Sequence, residues 1–372
     1  MAYRRRTLLP IGIHLNPDAV HMIQLEQAED KLVVVSKAVQ YFSAPAAALH
    51  PAVGGPMPGE QPTGNHNEQD YAQAREFVRQ RIARNGFRGK EAVISLPAEN
   101  LVIQYVRLPP MQPEELIAGL PGELRSKLPF DPRQAVIRHI VAGQVSENNE
   151  AKQDVIALAA RRDVVERHVA AMTKIGLNVI GVGVEPCAMC YPYAYEATVG
   201  APTQEGPPSL MIVYLGFHTT HVAIVRGQDT TFVKGVELGS DQFADAVAKA
   251  KGIPLEEAAA VRAKWREASA SGVVQEAVEA YNASRKHLEP LVDEIESCMR
   301  YYASLARGAH IDRLIFLGPE ARDRALVHVI GAHLGVPSEV GDPLARMEDA
   351  TSRGGPEPEM AVAVGLSLFG AP

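Results

Sequence analysis

No apolar run in this 372-residue chain approaches the roughly 18 residues that a membrane-crossing helix needs. The longest, LMIVYLGF (210–217) and MAVAVGLSLF (360–369), are of core size. A secretion signal is also missing, because Pro10, Asn16 and Asp18 interrupt the apolar stretch behind Arg4-Arg5-Arg6. Cysteine is scarce: Cys187, Cys190 and Cys298 fit a reducing compartment. The C-x-x-C at 187–190 has no second pair and no thioredoxin-like context, so its thiols are expected to be small packing groups. There is no basic surplus. With 37 Lys plus Arg against 44 Asp plus Glu and a net charge of −7, the chain lacks the footprint of a nucleic-acid binder. Three N-terminal arginines fall short of the about four to eight that mark a lipid-binding cluster. P-loop, G-x-G-x-x-G and G-x-S-x-G motifs are all absent. These absences point to a cytoplasmic protein with no direct membrane span and no sign of classical catalysis.

What is present is a sequence of 46% hydrophobic and 22% charged residues, enough for one large core or two to three smaller ones. GIHLNPDAVHMIQL (12–25) reads as strand, tight turn and strand, and KLVVVSKAVQYF (31–42) as a third strand. The segment 43–69 is rich in Pro, Gly and Ala and poor in large apolar groups, which predicts a mobile loop. A helix over 70–87 and strands over 90–98 and 101–109 follow. From Met111 to about Ala160 a helix starting at Pro113, expected to kink or break at Pro121-Gly122, and strands at 136–143 and 153–160 outline a small α+β unit. A helix at 161–177, a strand at 178–185 and a further helix lead to the linker GAPTQEGPPS (200–209), the clearest domain boundary. Beyond it, 209–239 repeats the opening meander, and helices, a buried strand at 311–318 and an apolar helix at the end follow. Two similar α/β halves suggest an internal duplication around a central cleft, the architecture of actin-like ATPases. The expected division is a first half over 1–205 (core 1–105 and 161–205, inserted unit about 106–160) and a second over 206–372, with a helical part at about 241–306. The C-terminal helix, 359–369, is expected to pack back on the first half.

Several stretches resemble the PilM family of type IV pilus assembly proteins, relatives of FtsA: VRLPPMQPEEL (106–116), KLPFDP (127–132), LGSDQFADAVA (238–248) and EMAVAVGLSLF (359–369). The resemblance covers nearly the whole chain and implies the actin-like fold with an FtsA/PilM-type inserted α+β subdomain. It also places a nucleotide cleft near His14, Asn16, Gly216, Thr219, Thr220, Gly239 and Gly318. That cleft is degenerate. Where the family reads G-I-D-I-G-S-S-S-V-K, this chain has His14 for the acid, Asn16-Pro17 for Gly-Ser and His21 for the lysine. The second hairpin has Tyr214 instead of an acid, and a Gly-rich loop is replaced by Leu317-Gly318-Pro319-Glu320. Mg²⁺ is usually held through one or two carboxylates plus phosphate, so ATP with Mg²⁺ is disfavoured and no cofactor is expected. His14, His21, His218 and His221 are read as polar residues near a cleft, since a catalytic zinc typically needs three protein ligands. Glu185 matches an acidic position of the family near the cleft; a helix N-terminal charge is an equally good reading.

The resemblance implies a non-enzymatic assembly adaptor at the cytoplasmic face of the inner membrane that holds the short cytoplasmic tail of a PilN-like membrane protein. Arg107, Leu108, Leu128 and Phe130 are the candidate tail-binding residues, although Leu128 and Phe130 serve equally as the inserted unit's own core. Other pilus platform components are further implied partners, and self-association stays open. The alternatives are a nucleotide-binding PilM-type ATPase and a GspL-like cytoplasmic domain of type II secretion. A sugar or acetate kinase lacks its acid and its Gly-rich cradle here.

Overall fold

The computed structural model describes residues 6–16, 19–29, 31–42, 71–84, 86–147, 150–199, 207–216, 219–305, 310–349 and 355–369. The expected loop at 43–69 and His218 lie outside them. The strands are β1 (Arg6–Leu15), β2 (Ala19–Ala28), β3 (Lys31–Tyr41), β4 (Glu91–Leu96), β5 (Val102–Leu108), β6 (Ala135–Glu147), β7 (Glu150–Arg161), β8 (Asn178–Val184), β9 (Ser209–Leu215), β10 (Thr220–Arg226), β11 (Asp229–Val236), β12 (Arg313–Leu317), β13 (Ser338–Val340) and β14 (Met347–Asp349). The helices are α1 (Ala72–Ala83), α2 (Pro113–Glu123), α3 (Arg162–Lys174), α4 (Glu185–Ala188), α5 (Tyr191–Val199), α6 (Ser240–Lys251), α7 (Leu255–Ala268), α8 (Gln275–Ala283), α9 (Arg285–Leu305), α10 (Arg324–Leu334) and α11 (Ala361–Ser367).

The duplication shows in the strand orders. One sheet runs β14-β3-β2-β1-β4-β8 and a second runs β11-β10-β9-β12-β13. Each is an antiparallel meander followed by parallel strands, as the pairings β1 with β4 and β9 with β12 show. The strands read as near-continuous apolar runs because helices cover the sheets. Met211, Val213, Val222, Ile224, Phe243, Trp265 and Phe316 fill the second half's core. Another cluster crosses from Val93 and Ile156 through Met189 to Ile212, Tyr214, Ile315 and Leu366, so the halves and the inserted unit share one apolar interior.

The inserted unit is a separate sheet, β5-β7-β6, which takes in Val102–Leu108 entire as well as the span from 106. Residues alternate along β5. Val106 and Leu108 face a core with Leu116, Leu120, Leu124 and Leu128, while Ile103 and Tyr105 pack toward the second half. Helix α2 does not break at Pro121 but runs on to Glu123. A proline in the last turn forfeits a single backbone bond, so the helix ends near it rather than at it. The C-terminal segment returns to the first half in two ways: β14 pairs in parallel with β3, and α11 lies against β1. A Cβ on Gly12 would stand 2.0 Å from the Ala363 carbonyl oxygen.

Candidate functional site

The two meanders present equivalent turns to each other. In the first, His14 on β1 pairs across the hairpin with His21 on β2, and Asn16 N–H donates to Ala19 O at 2.9 Å. In the second, Tyr214 on β9 pairs with His221 on β10, and Gly216 N–H donates to Thr219 O at 3.2 Å. Both hairpins meet at Glu185, the first residue of α4. His14 Nε2 lies 2.8 Å from Glu185 Oε1 and His221 Nδ1 3.2 Å from Oε2. The Asn16 amide, with its nitrogen turned toward the surrounding acceptors, donates to Oε1 at 2.9 Å. The ring of His14 stacks on His21 at 5.6 Å and meets Tyr214 edge-on at 6.0 Å.

All five side chains are buried: His14, His21 and Tyr214 at 0%, His221 at 3% and Glu185 at 5% exposure. Burial works against the Glu185 charge. The hydrogen bond from His14 and the close approach of His221 outweigh it, and the carboxyl is held below its ordinary range. Glu185 is therefore a carboxylate clamped between the halves. At these positions the hairpins carry imidazoles and a phenol where Mg²⁺ is usually held through carboxylates, and Glu185 is already engaged by its neighbours. Among the described residues no group of three or more His, Cys, Asp or Glu is arranged to hold a metal ion.

The other residues assigned to the cleft have structural work. The Thr220 hydroxyl donates to Leu238 O at 2.7 Å. Gly239 precedes α6 and its carbonyl accepts from Phe243 N–H at 3.2 Å. Gly318 has φ +89°, and a Cβ there would stand 2.4 Å from Leu215 O, so only glycine fits that turn. Its N–H donates to Pro358 O at 3.0 Å. Pro319 and Glu320 continue the turn, and Glu320 is buried in a network with Arg262, Arg266, Ser240, Tyr281 and Asp323. Sequence reading missed the two arginines. Their spacing of four residues on α7 was the available signal, and it is also the ordinary spacing of a solvated face. Cys187 and Cys190 are unpaired; burial pushes the Cys187 thiol up to about 12 and the Cys190 thiol higher still.

His21 adds a measurable property. Among the described residues neither ring nitrogen has a hydrogen-bond partner, and burial, then His14 and Arg322, push its pKa well below 6.5. A group depressed in the folded state binds its proton more readily when unfolded. Its contribution is therefore complete above pH 6.5 and is lost on acidification. Stability should fall by up to about 1.4 kcal/mol per pH unit below that point, and His21→Phe should flatten the dependence. Urea midpoints between pH 7 and 5 check this; an unchanged slope in the variant would assign the acid sensitivity elsewhere.

The candidate tail-binding residues divide. Leu108 and Leu128 do not line a surface pocket: they are 6% and 9% exposed in the inserted unit's own core. The alternation of β5 sends Leu108 inward beside Val106, and Leu128 closes the same core beyond α2. Phe130 is partly buried against it. Arg107 stands on the other face of β5, where it makes a two-pronged pair with Asp154 on β7 at 2.7 and 3.2 Å. An open, mostly apolar depression lies on α3, lined by Val165, Glu166, Val169, Ala170, Thr173 and Lys174. Helix α3 leaves β7 directly, and Arg162 in its first turn donates to Ala135 O of β6 at 3.0 Å. The depression thus runs along the helix that joins the inserted unit to the first half.

Among solved structures the fold is similar to one described as a PilM–PilN type IV pilus biogenesis complex, with a TM-score of 0.72, 19% identity and 100% of each chain covered. It is also similar to the ethanolamine utilization protein EutJ from Carboxydothermus hydrogenoformans, with a TM-score of 0.52, 15% identity and 99% and 91% of the two chains covered. The architecture is the actin-like ATPase fold. A family model for the type IV pilus assembly protein PilM matches residues 12–369, and the chain belongs to that family.

Proposed function

We propose that this protein is a non-catalytic assembly adaptor of a type IV pilus, holding the cytoplasmic tail of a PilN-like protein at the inner-membrane face. The observation that carries this reading is the likeness, over the full length of both chains, to a structure described as a PilM–PilN complex. Two features agree with it. Glu185, His14 and His221 are buried where the two hairpins meet, and no described helix is long and apolar enough to cross a membrane. An extended peptide laid along α3 would gain apolar contact from Val165, Val169 and Ala170, with Glu166 and Lys174 at its rim.

Ala170 is exposed on a helix, so Ala170→Arg should change stability by no more than about 0.5 kcal/mol while blocking the depression. The expected result is a folded variant that no longer co-sediments with membranes containing the PilN-like protein, and calorimetry of the parent with Mg-ATP showing no binding heat. A folded variant retained at the parent level would remove α3 from the interface. Micromolar Mg-ATP affinity would sink the non-catalytic reading. Arg107→Glu is a poorer probe, since it sets a second carboxylate against Asp154 and destabilises the β5–β7 pair.

A further inference from the structure

Two helices of the second half, α6 and α7, converge on one carboxylate. Glu320, in the turn after β12, is 2% exposed. Its Oε1 accepts from the Ser240 hydroxyl at 2.7 Å and from Arg266 Nη1, and its Oε2 accepts from Arg262 Nη2. Arg262 is itself 2% exposed. It donates Nε to the Tyr281 hydroxyl at 2.8 Å and Nη1 to Ser240 O at 3.2 Å. Its guanidinium carbon lies 5.5 Å from the Phe243 ring centre and 6.0 Å from that of Tyr281. The Tyr281 hydroxyl donates to Asp323 Oδ2 at 2.5 Å.

Two guanidinium groups at the inner end of α7, one of them wholly buried, need an anion beside them, since an unpaired buried charge is strongly destabilising. With them stand a hydroxyl at the first residue of α6, where helix dipoles favour negative charge, and two aromatic walls. That is the donor set of an anion receptor. We propose that Arg262, Arg266 and Ser240 form an anion-binding pocket whose resident ligand is the chain's own Glu320, which plugs a site that a free carboxylate or phosphate would otherwise enter. The plug is tied to the second hairpin, because the residue whose hydroxyl holds Glu320 also donates its backbone N–H to Gly216 O at 3.1 Å. The two arginines hold the Glu320 carboxyl down to about 2 against its burial, so the ligand stays charged throughout the physiological range. The proposal does not depend on the partner assigned above.

The test is chemical rescue. Glu320→Ala leaves two cations facing a vacated space, and its Tm in sodium chloride should fall by about 5 °C. Sodium formate or inorganic phosphate at matched ionic strength should restore most of that loss and leave the parent protein unmoved. In Glu320→Ala with Arg262→Met the rescue should vanish. An unchanged Tm for Glu320→Ala, rescue no better than chloride, or full rescue persisting without Arg262 would each overturn the proposal. Should Glu320→Ala fail to fold, Glu320→Gln fills the same space without charge. It should melt below the parent and gain nothing from formate; a Gln variant as stable as the parent would show that charge pairing is not what the pocket requires.

Discussion

Gly365→Ala should abolish stable folding. A Cβ at this position in α11 would stand 1.8 Å from the Ala188 carbonyl oxygen and 2.6 Å from its carbon. Both obstacles are backbone, so no rotamer change relieves the overlap; α4 and α11 must separate. Separation is costly because α11 is buried along its length, from Ala361 to Ser367. Its residues fill the space between the first sheet and the second half, with Val362 and Leu366 in the shared core. On the other side Gly12 of β1 allows the same approach. The expected cost exceeds about 4 kcal/mol, the range reserved for a short list of severe mechanisms, overpacking among them. Gly119→Ala in α2 is the control, since its Cβ meets nothing within 4 Å. It should stabilise by about 0.5–1 kcal/mol through helix propensity. Soluble yield and thermal melts of the two variants decide the matter: a Gly365→Ala protein melting within a few degrees of the parent would mean the helix is not seated this closely.

The next largest effect belongs to the clamp between the hairpins. Glu185→Ala removes the acceptor of His14 and the neighbour of His221, groups that belong to different halves. Because the buried His14 loses its acceptor and the buried His221 its charged neighbour, the expected loss is about 3–5 kcal/mol. Glu185→Gln keeps the volume and gives up the charge, and should cost about 1–2 kcal/mol. The pH dependence carries a sign. Because the folded carboxyl is held below the ordinary 4.5, the parent has this contribution above that pH and loses it as acid titrates the folded group; Glu185→Ala should lack that acid limb. Urea denaturation at pH 7 and pH 4 measures both. A midpoint equal to the parent's in Glu185→Ala would show that apolar packing alone joins the halves.

Local pattern determined a good deal here. The apolar runs at 12–25 and 209–239 specify meanders wherever they are placed, because strands buried on both faces need such runs and the intervening turns need their polar residues. The near-identical layout of the two stretches made the duplication legible, and the ordered motifs made the family legible. Contacts between elements far apart in the chain were not written in any window. Glu185 and His14 are separated by 171 positions, and the choice between a catalytic acid, a helix-cap charge and an inter-half clamp depends on what the second hairpin brings to its other oxygen. Leu108 and Leu128 have the composition of either a pocket or a core, and the packing of α2 on β5 decided for the core. Arg107 looked available until β7 set Asp154 opposite it. Sequence periodicity reports which face of an element is apolar; only the assembled fold says which charges and apolar faces meet, because burial turns a weak solvated pairing into one that the structure cannot leave unsatisfied.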